Sequence, residues 1–118
     1  MKEQLKLNNE EISSFFSQSA LLFRAGIPPR QSMQILYNDC KTESGKAVLK
    51  QILDTLNRGE NFTDALISAD VFPEYVINMV ELGEESGRLD SCMESLSEYY
   101  EKEQNISALL NFFNFYEK

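Results

Sequence analysis

Apolar side chains recur at intervals of three and four residues along most of the chain, which is the spacing of one face of an α-helix. No segment alternates strictly between apolar and polar residues, and no Asn-Gly or Asp-Gly pair marks a hairpin, so strands are not expected. Glycines and prolines fall between the periodic segments and divide them into six. We therefore predict an all-α fold, a compact antiparallel bundle of about six helices with a long C-terminal helix.

Glycine and proline also mark where each predicted helix starts or stops. The first helix is expected from Asn8 to about Phe23, with Gly26 in the left-handed conformation that commonly follows a helix end. Pro28 and Pro29 restart the chain, since a proline suits the first turn of a helix. The other helices are expected from Gly45 to Arg58 with Gly59 as the stop, from a cap at Asn61 or Thr63 through Ile67, from Pro73 to just before Gly83, and from about Gly87 onward. The predicted structural turns are therefore Gly26, Pro28, Gly59 and Pro73.

The sixth predicted helix alternates apolar steps of three and four, the seam pattern of helices packed side by side. From Leu89 to Tyr116 it would be about 42 Å long at ~1.5 Å per residue, which exceeds what so small a domain covers. We expect one domain, residues 1–118, with a core at about 10–104 and a helical extension at 105–118. The extension is apolar almost all round, and its candidate dimer-seam or membrane-proximal residues are Phe112, Phe113 and Tyr116. Packing of this tail on the aromatic first helix is the alternative interpretation.

Composition narrows the possible functions. The chain has 118 residues, a formal net charge of −8 and no histidine, so Ser-His and Cys-His nucleophile pairs and His-ligated metal centres are excluded. The acidic balance argues against nucleic-acid binding, which needs a basic surface, and suggests a face available to basic patches on a partner. Cys40 and Cys92 lie far apart and are expected to be free thiols. With neither a signal peptide nor an apolar span, the chain is expected to be soluble and cytosolic.

The densest chemistry lies at residues 83–90, GEESGRLD, which we interpret as a turn between two helices. Gly83 is expected to supply an unusual backbone conformation there, and Gly87 to let the sixth helix start close to its neighbour. Glu84 and the carboxylates at positions 85 and 90 are expected near the positive end of that sixth helix. A capped turn is the main interpretation, and contact of Glu84 with a partner or a cation is the alternative. EF-hand spacing is absent, and no catalytic, cofactor-binding or metal-binding set of residues is predicted.

Four segments resemble the type II secretion system F domain. Its usual opening, F-x-x-Q-L-A-x-L-L-x-A-G-I/V-P, is similar to residues 15–28, FFSQSALLFRAGIP. Its G-x-S-L-S-x-A-L segment is similar to residues 59–66, GENFTDAL, and its F-P followed by M-I/V-x-x-G-E-x-S-G-x-L is similar to residues 72–89. Its A-x-Y-Y-E-x-E end corresponds to the Tyr-Tyr-Glu at 99–101. The resemblance covers roughly residues 12 to 104 in the right order, and it makes Gly83, Glu84, Gly87 and Leu89 the family signature and the candidate partner-contact turn.

Three departures from the family pattern concern packing and capping. Ser19 replaces a usual leucine, Asn-Phe-Thr at 61–63 replaces Ser-Leu-Ser, and Ser97 occupies a common alanine position. Family members are inner-membrane platform proteins with two copies of this domain and several transmembrane helices. The single copy in this chain is therefore expected to be a cytoplasmic domain of a longer protein.

The resemblance implies a non-enzymatic role at the cytoplasmic face of the bacterial inner membrane. The implied partners are a cytoplasmic secretion or pilus assembly ATPase, other inner-membrane assembly proteins, pilin-like subunits and a second copy of the domain. Contact with the membrane would come only through transmembrane segments absent from this chain. A freestanding soluble helical adaptor or regulatory protein is the alternative function, and hydrophobic spans after Lys118 in the natural reading frame would exclude it.

Overall fold

The structure is a computed structural model, which describes the backbone of residues 7–116 and the side chains of residues 7–102. In that part of the chain every regular element is an α-helix, which confirms the predicted all-α bundle with a long C-terminal helix. The helices are α1 (Asn9–Arg24), α2 (Pro29–Asp39), α3 (Glu43–Asn57), α4 (Phe62–Ala69), α5 (Glu74–Ser86) and α6 (Leu89–Tyr116).

Side-chain caps begin three of these helices. Asn8 starts α1 with a capping box, in which its Oδ1 accepts the backbone N–H of Glu11 at 2.7 Å and the Glu11 carboxylate accepts the N–H of Asn8. Thr42 caps α3 through the N–H of Gly45, and Asn61 caps α4 through the N–H at position 64 at 2.8 Å. Each cap satisfies a backbone donor that the first turn leaves unpaired, and a cap of this kind stabilises a helix by about 1 kcal/mol.

The helices alternate in direction, so their connections fall at two ends of the bundle. Helices α1 and α6 run antiparallel, because Arg24 pairs with Glu94 while the ring of Phe16 lies 5.5 Å from that of Tyr100. We call one end the three-turn end; it carries the turns at 25–28, 58–61 and 87–88. The opposite end, the two-turn end, carries the turns at 40–42 and 70–73. At the two-turn end the Glu11 carboxylate accepts hydrogen bonds from the hydroxyls of Thr42 at 3.0 Å and of the serine at position 44 at 3.3 Å, which ties α1 to the start of α3.

The core fills the space between the helices with side chains from all six. Phe16 and Phe72 lie 5.9 Å apart by ring centroid, and Phe16 has no exposed surface. Truncating such a side chain to alanine costs about 3–5 kcal/mol in other proteins, because the cavity is only partly closed. The side chains with no exposed surface are Phe16, Ser19, Ser32, Met33, Ile52, Ala65, Leu66, Val76, Val80, Met93 and Leu96.

The helix limits differ from the predicted ones in three helices, and α4 continues to Ala69 rather than ending at Ile67. Helix α3 starts at Glu43, two residues before the predicted Gly45, because Thr42 provides its cap. Helix α5 continues to Ser86 rather than ending before Gly83. Helix α6 extends to Tyr116 as predicted, but the side chains of Phe112, Phe113 and Tyr116 lie outside the described residues. None of the helices searched within the described residues combines the length and hydrophobicity that crossing a bilayer requires.

Candidate functional site

Three of the four segments that resemble the family meet at the three-turn end. The ring of Phe23, near the end of α1, lies 5.4 Å from that of Phe62 at the start of α4, edge to face. The end of α5 reaches the same place through Glu84, whose carboxylate contacts the first residues of α4. Segments distant in sequence therefore build one surface.

Glu84 joins α5 to the N-terminus of α4. Its carboxylate accepts the backbone N–H of Phe62 at 2.9 Å, the N–H of Thr63 at 3.0 Å and the hydroxyl of Thr63 at 2.7 Å. Glu84 was expected to act at the positive end of α6, but the helix whose unpaired amides its carboxylate satisfies is α4. Glu84 is half-buried, Phe62 is almost completely buried, and Asn61 supplies the separate cap at position 64.

Gly83 and Gly87 have roles opposite to those expected. Gly83 is buried inside α5, and a Cβ atom added there would lie 2.8 Å from the Cβ of Cys92 on α6. Gly87 ends α5 with a φ of +70°, a left-handed conformation that side chains disfavour, but a Cβ there would meet nothing within 4 Å. The close approach of α5 to α6 thus depends on Gly83, and the chain reversal depends on Gly87.

The other predicted turn residues also adopt turn conformations. Gly26 and Gly59 have φ values of +84° and +89°. Pro28 and Pro73 are the residues just before α2 and α5, and both are extended, with ψ of 156° and 162°. A side-chain cap is lacking at both of these helix starts.

A cleft of about 310 Å³ lies between the α1–α2 turn and the α5–α6 turn. Four half-buried apolar side chains line it. The cleft therefore has an apolar floor that is still partly exposed to solvent. Glu84 and Asp90 also line it, and one oxygen of Asp90 accepts the backbone N–H of residue 91 at 2.8 Å. The apolar residues are Phe23, Ile27, Pro29 and Leu89.

All four arginines of the chain lie at or beside the turns of the three-turn end. Arg24 pairs with Glu94, and this hydrogen bond, followed by the charge of Glu94, raises the pKa of Arg24. Arg58 pairs with the neighbouring Glu60 at 3.2 Å. Arg30 and Arg88 are exposed, and the structure gives neither of them an ion pair or hydrogen bond among the described side chains. Two guanidinium groups are thus available for a partner.

Cys92, in the first turn of α6, is the cysteine nearer to this end of the bundle. Burial raises the pKa of the Cys92 thiol, which donates a hydrogen bond to the carbonyl oxygen of Met79 at 3.2 Å, so it is not activated as a nucleophile. Among the described residues no group of three or more Cys, Asp and Glu side chains is arranged to hold a metal ion. What the surface offers is an apolar floor, charged side chains around it and exposed backbone at tight turns.

A larger groove of about 590 Å³ lies at the two-turn end, between the first half of α1 and the loop from α2 to α3. Its apolar lining includes Phe15, Leu36, Val48 and Leu49. Sequence reasoning missed both this groove and the link from Glu11 to Thr42, since each depends on contacts between segments about 30 residues apart. It also missed Arg30, although the placement of all arginines beside glycine or proline turns is visible in the sequence.

Comparison with known proteins places the chain in a family. The family described as type II secretion system (T2SS), protein F matches residues 15–110. A type IV pilus assembly protein PilC from Thermus thermophilus is 30% identical over 97 residues, which cover 82% of this chain and 24% of that protein. PilC from Myxococcus xanthus is 31% identical over 103 residues, with 86% and 25% covered. The type II secretion system protein F from Xanthomonas campestris is 29% identical over 102 residues, again with 86% and 25% covered.

The chain spans about a quarter of the length of the curated relatives that it matches. The family match, by contrast, covers most of the chain, from the first half of α1 into the second half of α6. The chain therefore belongs to the type II secretion system protein F family.

Proposed function

We propose that this domain is a non-enzymatic scaffold in an inner-membrane platform protein for protein secretion or for pilus or pseudopilus assembly. In this role it couples a cytoplasmic assembly ATPase to pilin-like subunits, from the cytoplasmic face of the bacterial inner membrane. It also contacts other inner-membrane assembly proteins and a second copy of itself.

The observation that carries the proposal is the convergence of the family-like segments at the three-turn end. Residues 23–29, 59–63 and 83–90 are separated by long stretches of chain, yet they contact one another there. Part of this convergence serves stability, since Glu84 holds α4 in place. The exposed side chains of Arg30 and Arg88 make no such contact with the other described side chains, and together with the cleft they favour a surface that meets another protein.

The geometry of α6 supports a direction for this contact. Helix α6 starts at the three-turn end and runs about 42 Å to Tyr116, at ~1.5 Å per residue. If the chain beyond α6 leads to the membrane, the three-turn end is the part of the domain farthest from the bilayer. That position suits contact with a cytoplasmic ATPase.

The proposal can be tested with the full-length natural protein in its own membranes. We expect the tagged protein to co-purify with the assembly ATPase of the same organism, and a variant lacking residues 9–102 to insert into the membrane but lose the ATPase. The isolated domain is expected to hydrolyse no nucleotide. Equal recovery of the ATPase with and without residues 9–102 would contradict the proposed contact.

A further inference from the structure

We propose that the cleft between the α1–α2 turn and the α5–α6 turn binds an acidic, partly apolar segment of a partner protein, with Arg30 and Arg88 pairing to its carboxylates. The inference deepens the proposed function, because it states which chemistry the partner must present to this end of the domain. It does not require the partner to be the ATPase.

The apolar floor is the first argument. Phe23, Ile27, Pro29 and Leu89 are each only half-buried, although they come from two different turns and face one cleft. Their remaining apolar surface gains free energy when another apolar group covers it. A volume of about 310 Å³ is at the lower limit of pockets that hold small molecules, and it suits a few inserted side chains.

The charges around the floor are the second argument, and they favour an acidic occupant. Both carboxylates that line the cleft already accept hydrogen bonds, Glu84 from the start of α4 and Asp90 from the backbone N–H that follows it. The exposed charges without partners beside the lining residues are those of Arg30, next to Pro29, of Arg88, between Gly87 and Leu89, and of Glu85, next to Glu84, so the cations outnumber the anions by two to one. Guanidinium groups pair with carboxylates in a two-point geometry, and arginine is enriched in protein interfaces.

The placement of the other cations strengthens this argument. The lysines with described side chains all lie outside the three-turn end, and two of them are engaged: Lys46 lies over the ring of Tyr37 at 4.6 Å, and Lys50 pairs with Asp54 at 3.1 Å. On a chain with a net charge of −8, the described cations at the three-turn end that are left without a partner are the guanidinium groups of Arg30 and Arg88. Glu85 is exposed at the same end and would repel an acidic partner. Removing its charge therefore tests whether the bound segment is acidic.

The test uses the isotope-labelled domain and two 14-residue peptides that place Leu and Phe at helical spacing. One peptide carries Glu at alternate surface positions, and the control peptide carries Lys at the same positions. We expect the Glu peptide to shift the backbone NMR signals of residues 26–30 and 87–90, and the Lys peptide to leave them in place. Arg30→Glu and Arg88→Glu should each weaken binding about three- to ten-fold, since each reverses one exposed ion pair.

Two further variants make the result specific. Lys41→Glu changes an exposed cation at the two-turn end and should leave the affinity unchanged, whereas Glu85→Gln should tighten binding slightly. Thermal unfolding of every variant shows whether the fold is retained. If the ATPase fails to co-purify but the Glu peptide shifts the signals of the cleft residues, the binding of an acidic segment in the cleft is supported and the contact with the ATPase is contradicted.

Several results would overturn the inference. They are equal shifts with both peptides, no shift with the Glu peptide, or a loss of binding in Lys41→Glu equal to that in Arg88→Glu. Arginine-dependent binding of phosphatidylglycerol vesicles without any effect of the Glu peptide would assign this end to a lipid surface instead. Concentration-dependent shifts of the same signals without peptide would assign it to a second copy of the chain.

Discussion

Replacement of Glu84 by glutamine tests the link between α5 and α4 more sharply than any other change. Glutamine keeps the length of the side chain but removes the negative charge and converts one acceptor oxygen to an NH₂ group. The carboxylate accepts hydrogen bonds from three donors, and one oxygen, Oε1, accepts two of them. Glutamine can therefore satisfy at most two donors, and its NH₂ group faces the third.

The expected loss of stability follows from these contacts. A hydrogen bond to a charged group contributes roughly 1.5–3 kcal/mol, and a charge at a helix N-terminus contributes about 0.5 kcal/mol. Because Glu84 is only half-buried, we take the lower values and expect Glu84→Gln to lower the free energy of unfolding by about 2 kcal/mol. In a domain of this size that lowers the melting temperature by roughly 8 °C.

The assay is urea denaturation followed by circular dichroism, with Glu85→Gln as the matched control. Glu85 is the adjacent, exposed carboxylate, so its replacement should change stability by no more than about 0.5 kcal/mol. Thr63→Val removes the hydroxyl donor, and a double-mutant cycle should give about 1 kcal/mol of coupling with Glu84→Gln. Equal stabilities of Glu84→Gln and Glu85→Gln would refute the assigned link.

Substitutions at three other positions test single features of the structure, each by the same denaturation assay. Gly83→Ala should cost about 2 kcal/mol, because its Cβ would lie 2.8 Å from that of Cys92 and the helices must shift; an unchanged midpoint would contradict the close approach. Gly87→Ala should cost about 1 kcal/mol through its φ of +70°, and Gly87→Asn less, since asparagine tolerates that conformation; an equal loss from both would count against the backbone explanation. Ser19→Ala should raise stability by about 1 kcal/mol, because the fully buried Ser19 hydroxyl has no hydrogen-bond partner among the described residues; destabilisation would show a partner for that hydroxyl.

The fold could be predicted largely from local sequence signals. Apolar spacing set the number and order of the helices, and Gly26 and Gly59 follow helix ends in the left-handed conformation that their positions suggested. These signals depend only on residues close together in the chain, so they can be recognised from the sequence. The limits of α5 were misjudged because a glycine was interpreted as a turn, whereas Gly83 is needed inside the helix for contact with Cys92.

The candidate site was less predictable, because its geometry depends on contacts between distant segments. The segment around Glu84 was singled out, but its carboxylate was assigned to the helix that follows in sequence rather than to α4. Only the packed structure brings Phe62 within reach of Glu84 and puts Phe23 on the same cleft as Leu89. Arg30 and Arg88 can be recognised as available for a partner only when the ion pairs of the other two arginines are known.

The central claim is that the three-turn end of this domain meets the assembly ATPase. The most direct measurement is site-specific photo-cross-linking in the full-length natural protein, with the reactive residue placed at Glu85 or, for comparison, at Lys41. Both positions are exposed, and they lie at opposite ends of the bundle. The account predicts a cross-link to the ATPase from position 85 and none from position 41. A cross-link from position 41 alone, or from neither position, would contradict it.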